Sequence, residues 1–143
     1  MDIIIGSDHA GFDLKEVCRS FLEDLAEYGV QDAGVFNRNS ADYPDIAHKV
    51  SKAVSTGEFS RGILICGTGL GMGIAANRRK GIRAAVCHNL YTARLSRAHN
   101  NANILCMGGR VIGVDIALEM VELFLKTPFE GGRHQRRIDL IEE

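Results

Sequence analysis

The stretch that decides the fold is residues 63–79, which read ILICGTGLGMGIAANRR. A short apolar run ends at Cys66, and glycines follow at positions 67, 69, 71 and 73. An apolar run of this length, followed by a glycine-rich turn and a short helix, is typical of a strand buried on both faces of a sheet. Each glycine increases the entropy that the chain loses on folding, so the pattern indicates that something approaches this backbone closely.

The same strand–helix unit recurs about five times along the chain. Apolar runs without alternation predict strands at residues 3–5, 30–36, 63–66, 84–87 and 104–107. Apolar residues at helical spacing follow these runs; the first helix should begin next to Asp8 and end at Gly29, and Pro44 should open the second. We therefore predict an α/β protein with a three-layer α/β/α sandwich, a Rossmann-like parallel sheet of about five strands, in a single domain spanning residues 1–143.

The composition excludes several functional classes. A formal net charge of −1 lacks the basic excess of a nucleic-acid-binding protein, so any anion site must be local. No apolar run reaches the roughly 18 residues needed to span a membrane, and we expect a cytoplasmic protein. The four cysteines form no Cys-x-x-Cys pair, which argues against a zinc knuckle or a disulfide framework and for reduced thiols.

Residues whose side chains can take part in chemistry or binding follow the predicted strands. In open parallel sheets ligands bind at the carboxyl ends of the strands. The segments at that edge are residues 7–9, 37–43, 66–73, His88 and 108–110. They bring thiol, carboxylate, imidazole, phenol and guanidinium groups to one edge, but as scattered single metal ligands rather than as a cluster of three or four, so we expect no metal there.

The glycine loop allows several interpretations. A dinucleotide-binding loop would need an acidic residue after the next strand, where Cys87 and His88 stand. A Walker loop would need Gly-Lys-Ser/Thr, and a thiol phosphatase would need arginine at Met72. The functional interpretation that remains is an anion cradle of backbone N–H groups beside Cys66, which would make this thiol a usable base. The alternative is a tight turn with Cys66 as a small apolar residue, the role expected for the other three cysteines.

Further polar residues are harder to place. Asp8 could cap the first helix, and His48 is expected to be exposed. His99 lies in a polar loop before the fifth strand, at the amino edge of the sheet, where turn chemistry alone could explain it. If His99 acts in catalysis, it would reach the site of a neighbouring subunit. In the tail, Arg133 and Arg137 are four residues apart and would point the same way on a helix, where they could bind one phosphate. No role follows from the sequence for His88, His134 or Arg136.

Seven ordered segments resemble the RpiB/LacAB family of sugar-phosphate isomerases: GSDHAGFDLK, DYPDIA, GILICGTGLGMGIAANR, GIRAAVC, LSRAHNNANIL, GGRVIG and PFEGGRHQRRI. The resemblance implies an aldose–ketose isomerase without metal or cofactor that interconverts D-ribose 5-phosphate and D-ribulose 5-phosphate through a cis-enediolate, in the pentose phosphate pathway. One branch of the family has a glutamate base at the position of Met72. Because Met72 cannot accept a proton, the chain resembles the branch with a cysteine base.

The resemblance also implies roles for single residues. Cys66 would be the base that moves the proton between C1 and C2, Thr68 would support it, and His99 would open the sugar ring. Backbone amides of residues 67–71 would stabilise the enediolate oxygen. The substrate-binding positions implied are Asp8, His9, Tyr43, Gly67, Thr68, Gly69, Leu70, Gly71, Asn100, Arg110, Arg133 and Arg137, the three arginines binding phosphate and Asn100 holding the intermediate.

Two other functions remain open at this point. Family members also act on hexose 6-phosphates such as allose 6-phosphate or galactose 6-phosphate, alone or as one of two subunits. A sugar-phosphate or nucleotide binding module without chemistry would explain the arginines but leave Cys66 and His99 without a role. We further expect a homodimer or a dimer of dimers in which the helical tail, about residues 130–143, contributes to the partner's site, with no nucleic acid and no membrane as a partner.

Overall fold

The computed structural model describes residues 1–142, in which strands and helices alternate. The strands are β1 (Asp2–Ser7), β2 (Gly29–Asp32), β3 (Arg61–Cys66), β4 (Ala84–Val86) and β5 (Ile104–Gly108). The helices are α1 (Phe12–Asp24), α2 (Tyr43–Ser55), α3 (Leu70–Ala76), α4 (Leu90–Ala98), α5 (Val114–Lys126) and α6 (Arg133–Asp139). Within these residues, no helix combines the length and the apolar character that crossing a bilayer requires.

All five strands pair in parallel in the order β2-β1-β3-β5-β4. This arrangement confirms the predicted parallel α/β sheet. β3 lies at the centre, and its last residue, Cys66, is in register with Gly108 at the end of β5. The glycine loop therefore leaves the sheet at the middle of its carboxyl edge, with the ends of β1 and β5 on either side.

The side chains of β3 divide between the two helical layers. Ile63 and Ile65 are fully buried in the core that α1, α4 and α5 cover, where Phe124 of α5 is also fully buried. Leu64 and Cys66 point to the opposite core, beneath α2 and α3. This alternation follows from the two-residue period of a strand, and it places the Cys66 thiol on the face that α3 covers.

Two predicted boundaries are wrong at the edge of the sheet. β2 spans Gly29–Asp32 rather than residues 30–36, because Gly34 adopts a left-handed φ of 100° and the backbone leaves strand geometry there, although Val35 still donates to the carbonyl of Ser7. The first helix ends at Asp24 rather than at Gly29, since Ala26 also has a positive φ, of 55°.

A buried lysine that the sequence did not single out joins α1 to the end of β2. The side chain of Lys15 is fully buried, and its Nζ donates to Oδ2 of Asp32 at 2.6 Å and to the carbonyl of Val35 at 2.7 Å. Asp32 in turn accepts from the N–H of Gly34 at 2.8 Å. This network holds the segment after β2 against α1.

We expect Lys15→Ala to lower the free energy of unfolding by about 3 kcal/mol, because it removes the close partner of Asp32 from a largely buried pair and leaves the more distant Arg19, whose Nε is 3.8 Å from Oδ2. Urea unfolding followed by circular dichroism measures the change. Lys126→Ala is the matched control, since Lys126 is exposed and, among residues 1–142, pairs only with Glu122 one helical turn away. It should leave the midpoint almost unchanged. Equal midpoints for the two variants would contradict the assigned role of Lys15.

Candidate active site

Cys66 lies at the carboxyl end of β3 with its thiol against the turn that follows. Sγ of Cys66 accepts a hydrogen bond from the backbone N–H of Gly69 at 3.1 Å. Gly69 has a φ of 80°, the left-handed conformation that glycine adopts without strain, and its N–H faces the sulfur. This contact holds the sulfur beside the backbone of the turn.

The glycine loop also presents unused backbone donors. Among residues 1–142, the N–H groups of Gly67, Thr68 and Gly71 have no acceptor. The N–H of Leu70 bonds to Oγ1 of Thr68 at 3.3 Å. The loop thus offers several N–H groups next to the thiol, an arrangement that suits an anion.

The glycines predicted that something approaches the backbone of this loop closely. At two of these positions the approaching atoms belong to the protein itself. A Cβ at Gly69 would lie 2.9 Å from the carbonyl carbon of Met107, and one at Gly71 would lie 2.6 Å from the ring of Tyr43. A Cβ at Gly67 would meet only ordinary van der Waals contacts, the nearest being Nη1 of Arg110 at 3.6 Å. At positions 69 and 71, contact with the protein's own atoms is therefore a second reason for glycine, beside the predicted approach of an anion.

Asp8 and His9 follow β1 and shape the adjacent wall. Oδ1 of Asp8, which is buried, accepts from the N–H of Gly11 at 3.0 Å. Asp8 does not occupy the N-cap that the sequence left open for it, because α1 begins only at Phe12 and Gly11 stands at its N-cap. Nδ1 of His9 accepts from the N–H of Ala41 at 3.1 Å, which leaves the proton of a neutral ring on Nε2.

Two further predicted residues border the glycine loop. The ring of Tyr43, the first residue of α2, covers Gly71. Arg110 is exposed, and its backbone N–H donates to the carbonyl of Gly67 at 3.0 Å. The structure therefore brings one group of predicted residues together at the carboxyl edge: Asp8, His9, Tyr43, Cys66, Gly67, Thr68, Gly69, Leu70, Gly71 and Arg110.

The remaining predicted residues belong to a second group. His99 caps the end of α4, and its ring stacks on that of His134 with 4.2 Å between centroids. Asn100 and Arg137 line the same cavity of about 380 Å³ as these two rings. Arg133, the first residue of α6, is exposed. In the described chain, neither Arg133 nor Arg137 has an acidic partner.

Buried arginine holds the loop that carries His99 and Asn100. Arg97 donates to Oδ1 of Asn101 at 2.8 Å and to the carbonyl of Ala102 at 2.5 Å. Burial, with the nearby charges of Arg61 and Arg83, lowers the pKa of Arg97 to about 10, so it stays charged at neutral pH. The loop is therefore fixed from inside the fold and keeps His99 at the protein surface.

The two groups lie at opposite edges of the sheet. Cys66 is in register with Gly108 at the carboxyl end of β5, whereas His99 and Asn100 precede Ile104 at its amino end. At about 3.3 Å per residue, the length of β5 separates these edges by roughly 13 Å. One chain therefore does not bring His99 to Cys66.

The other three cysteines behave as core residues. Burial raises the pKa of Cys18 to about 12, and it also raises the pKa of Cys87 and Cys106. All three are almost inaccessible to solvent. They contribute apolar volume, as the sequence predicted.

Sequence reasoning missed the surroundings of His99. Oε2 of Glu130 lies 3.4 Å from Nε2 of His134 and 3.8 Å from Nε2 of His99. Burial, with the positive charges of His99 and Arg133, lowers the pKa of His134, and Glu130 acts in the opposite direction. The sequence did contain one signal that His134 faces the protein interior, namely its four-residue spacing from Ile138. These are the two buried residues of α6.

The chain has a parallel α/β sheet with a thiol and backbone donors at its carboxyl edge, and it has exposed arginines without an acidic partner among residues 1–142. These features define a class of single-domain α/β enzymes that act on small anionic substrates. The model of the Ribose/Galactose Isomerase family matches residues 3–141, and the chain belongs to this family.

Relatives across the full length agree with this assignment. The sequence is 47% identical over 141 residues to ribose-5-phosphate isomerase B of Escherichia coli strain K12, covering 97% of this chain and 93% of that protein. The fold matches the solved structure of Clostridium thermocellum ribose-5-phosphate isomerase B with a TM-score of 0.97 and 54% identity, covering 99% of this chain and 95% of that one.

A third similar protein was solved with a sugar phosphate. It is ribose-5-phosphate isomerase B from Mycoplasma genitalium with bound ribulose-5-phosphate. It has a TM-score of 0.93 and 44% identity, and the match covers 98% of this chain and 93% of that one.

Proposed function

We propose that this protein is an aldose–ketose isomerase that interconverts D-ribose 5-phosphate and D-ribulose 5-phosphate. The observation that carries the proposal is the placement of the Cys66 thiol beside free backbone N–H groups at the centre of the carboxyl edge. The full-length similarity to ribose-5-phosphate isomerases B supports the substrate.

The chemistry needs one base and one anion site. Cys66 removes the proton from C2 of the open-chain aldose and returns it to C1, while a proton moves from the C2 hydroxyl to the carbonyl oxygen on C1. The intermediate is an enediolate, whose oxygen carries negative charge. The N–H groups of Gly67, Thr68 and Gly71 can donate to that oxygen, and donors that are already in place stabilise the transition state without reorganisation.

Ring opening comes first, because the sugar phosphate is cyclic in solution. His99 is assigned this proton transfer, with Asn100 beside it to hold the intermediate. The pocket wall at the carboxyl edge consists of Asp8, His9 and Tyr43. Nε2–H of His9, the donor left by the bond from Ala41, is available to a substrate oxygen.

The separation of the two groups supports a site shared between two subunits. We infer a homodimer, or a dimer of dimers, in which His99, Asn100 and the tail from about residue 130 complete the site at the partner's Cys66. Arg110 of one subunit, with Arg133 and Arg137 of the other, would bind the phosphate. The free thiols support a reducing compartment, so we place this reaction in the cytoplasm.

Isomerisation of ribose 5-phosphate, measured with allose 6-phosphate and D-erythrulose 4-phosphate beside it, tests the substrate. We expect the highest kcat/KM on the pentose and incorporation of deuterium from D₂O at the carbon that receives the proton. The four-carbon sugar is included because a relative that is 39% identical is named D-erythrulose-4-phosphate isomerase. Sugar-phosphate binding without deuterium incorporation would identify a binding module instead, and a preference for either other sugar would reassign the substrate.

A further inference from the structure

Three potential metal ligands meet where α4 ends and α6 begins. The backbone N–H of Glu130 donates to the carbonyl of Ala98 at 3.0 Å, which fixes the segment before α6 against the end of α4. His99, Glu130 and His134 each offer one ligand atom, and these atoms lie within 4.8 Å of one another. This cluster is outside the glycine loop, at the opposite edge of the sheet.

The distances suit a tetrahedral ion. In a zinc site with bonds of about 2.0–2.1 Å, neighbouring ligand atoms are roughly 3.3 Å apart. Nε2 of His134 and Oε2 of Glu130 are 3.4 Å apart, and Nε2 of His99 is 3.8 Å from the same oxygen. The pair His134–Glu130 is therefore already at ligand spacing, whereas Nε2 of His99 has to move closer.

One local adjustment is required. The two imidazole rings are stacked at an interplanar angle of 11°, so the lone pairs of their Nε2 atoms run nearly parallel rather than towards one point. His134 is buried and keeps its orientation. The side chain of His99 is 36% exposed and stands beyond the last turn of α4, where its ring can tilt towards the ion.

We propose that His99, Glu130 and His134 form a binding site for a divalent transition-metal ion, Zn²⁺ in particular, and that the bound ion inhibits the isomerase. Two imidazole nitrogens and one carboxylate form a ligand set that binds Zn²⁺ in preference to Mg²⁺ or Ca²⁺. The inhibitory part rests on the proposed function of His99, because an ion on Nε2 occupies the lone pair that proton transfer would use. The binding part does not depend on that function.

Charge identifies Glu130 as the decisive ligand. Arg137 lines the same cavity and repels a cation, so the carboxylate supplies the negative charge that a divalent ion requires. Glu130→Gln keeps the shape and removes this charge, and Glu130 is exposed, which favours normal folding of the variant. His134→Gln removes a nitrogen ligand instead. His48→Gln is the matched control, because His48 is an exposed histidine on α2.

Binding is measured with Co²⁺, whose visible absorption reports tetrahedral coordination, followed by displacement with Zn²⁺. We expect one ion per chain in the wild type and in His48→Gln. Affinity should fall at least about tenfold in Glu130→Gln and in His134→Gln, since even loss of an outer partner weakens metal sites by that factor. Unchanged affinity in Glu130→Gln, or a sulfur-to-cobalt charge-transfer band, would overturn the proposal in favour of a thiol site.

Inhibition is measured separately with ribose 5-phosphate. Zn²⁺ should inhibit the wild type, EDTA should restore full activity, and Glu130→Gln should need at least about tenfold more Zn²⁺ for half-inhibition. Equal inhibition of both proteins would show that the ion acts elsewhere, for example at Cys66. Binding without inhibition would overturn the inhibitory part alone, whereas failure of the proposed function would appear as absence of isomerisation before any metal is added.

Discussion

Cys66→Ala is expected to lose at least about two orders of magnitude in kcat while it still binds ribose 5-phosphate. General acid–base catalysis typically contributes about 10²- to 10⁴-fold in rate, and the variant removes the proposed base without touching the phosphate-binding arginines. Cys66→Ser is the second variant, because a hydroxyl preserves the shape of the site but ionises too weakly to replace a thiol. Steady-state kinetics and substrate titration separate the loss of turnover from any loss of binding.

The control for this prediction is Cys87→Ala, which removes a thiol that the mechanism does not use. It should retain turnover, since burial raises the pKa of Cys87 and keeps it protonated. Iodoacetamide followed by peptide mapping gives an independent measure. We expect modification at Cys66 that substrate prevents, and none at Cys18, Cys87 or Cys106 in the folded protein. Turnover close to wild type in Cys66→Ala would remove Cys66 from the mechanism.

Mixing Cys66→Ala with His99→Ala protomers should restore activity that neither variant has alone. In a shared site the thiol comes from one chain and the imidazole from the other, so a mixed dimer contains one intact site and one doubly defective site. Random exchange makes half of the dimers mixed, and activity should rise to about a quarter of that of wild type. Exchange is verified by native mass spectrometry, and isomerisation is measured before and after it.

A variant with both substitutions on one chain provides the opposite control. When it exchanges with wild type, every mixed dimer has a defect in each shared site, so activity should fall from about half to about a quarter of the wild-type value. If each site were formed within a single chain, activity would stay at half in this mixture and would not recover in the first. That pair of results would disprove the shared site.

The strands that are covered on both faces, and the helices that follow them, were predictable from the sequence. β3 and β5 are continuous apolar runs, and Pro44 stands in the first turn of α2, so periodicity and helix-start chemistry were sufficient there. β2 was predicted too long because it is an edge strand. The turn at Gly34 depends on how the chain meets Ser7, a contact distant in sequence.

The candidate site was predictable only in part, for a similar reason. The sequence indicated that the backbone at Gly69 and Gly71 is closely approached, but not that Met107 and Tyr43 make the approach. Glu130 and His134 were missed because they reach His99 through tertiary packing rather than through any local motif. The alternative role of Asp8 as a helix cap could not be decided from the sequence, since a loop of three residues separates it from α1.

The separation of Cys66 from His99 along β5 has a consequence for gene dosage. If a functional site exists only where two chains meet, the concentration of sites follows the dimer and not the chain. Well below the dissociation constant, that concentration varies with the square of the expression level, so halving expression would reduce flux about fourfold. An enzyme with its whole site on one chain would lose only half of its flux.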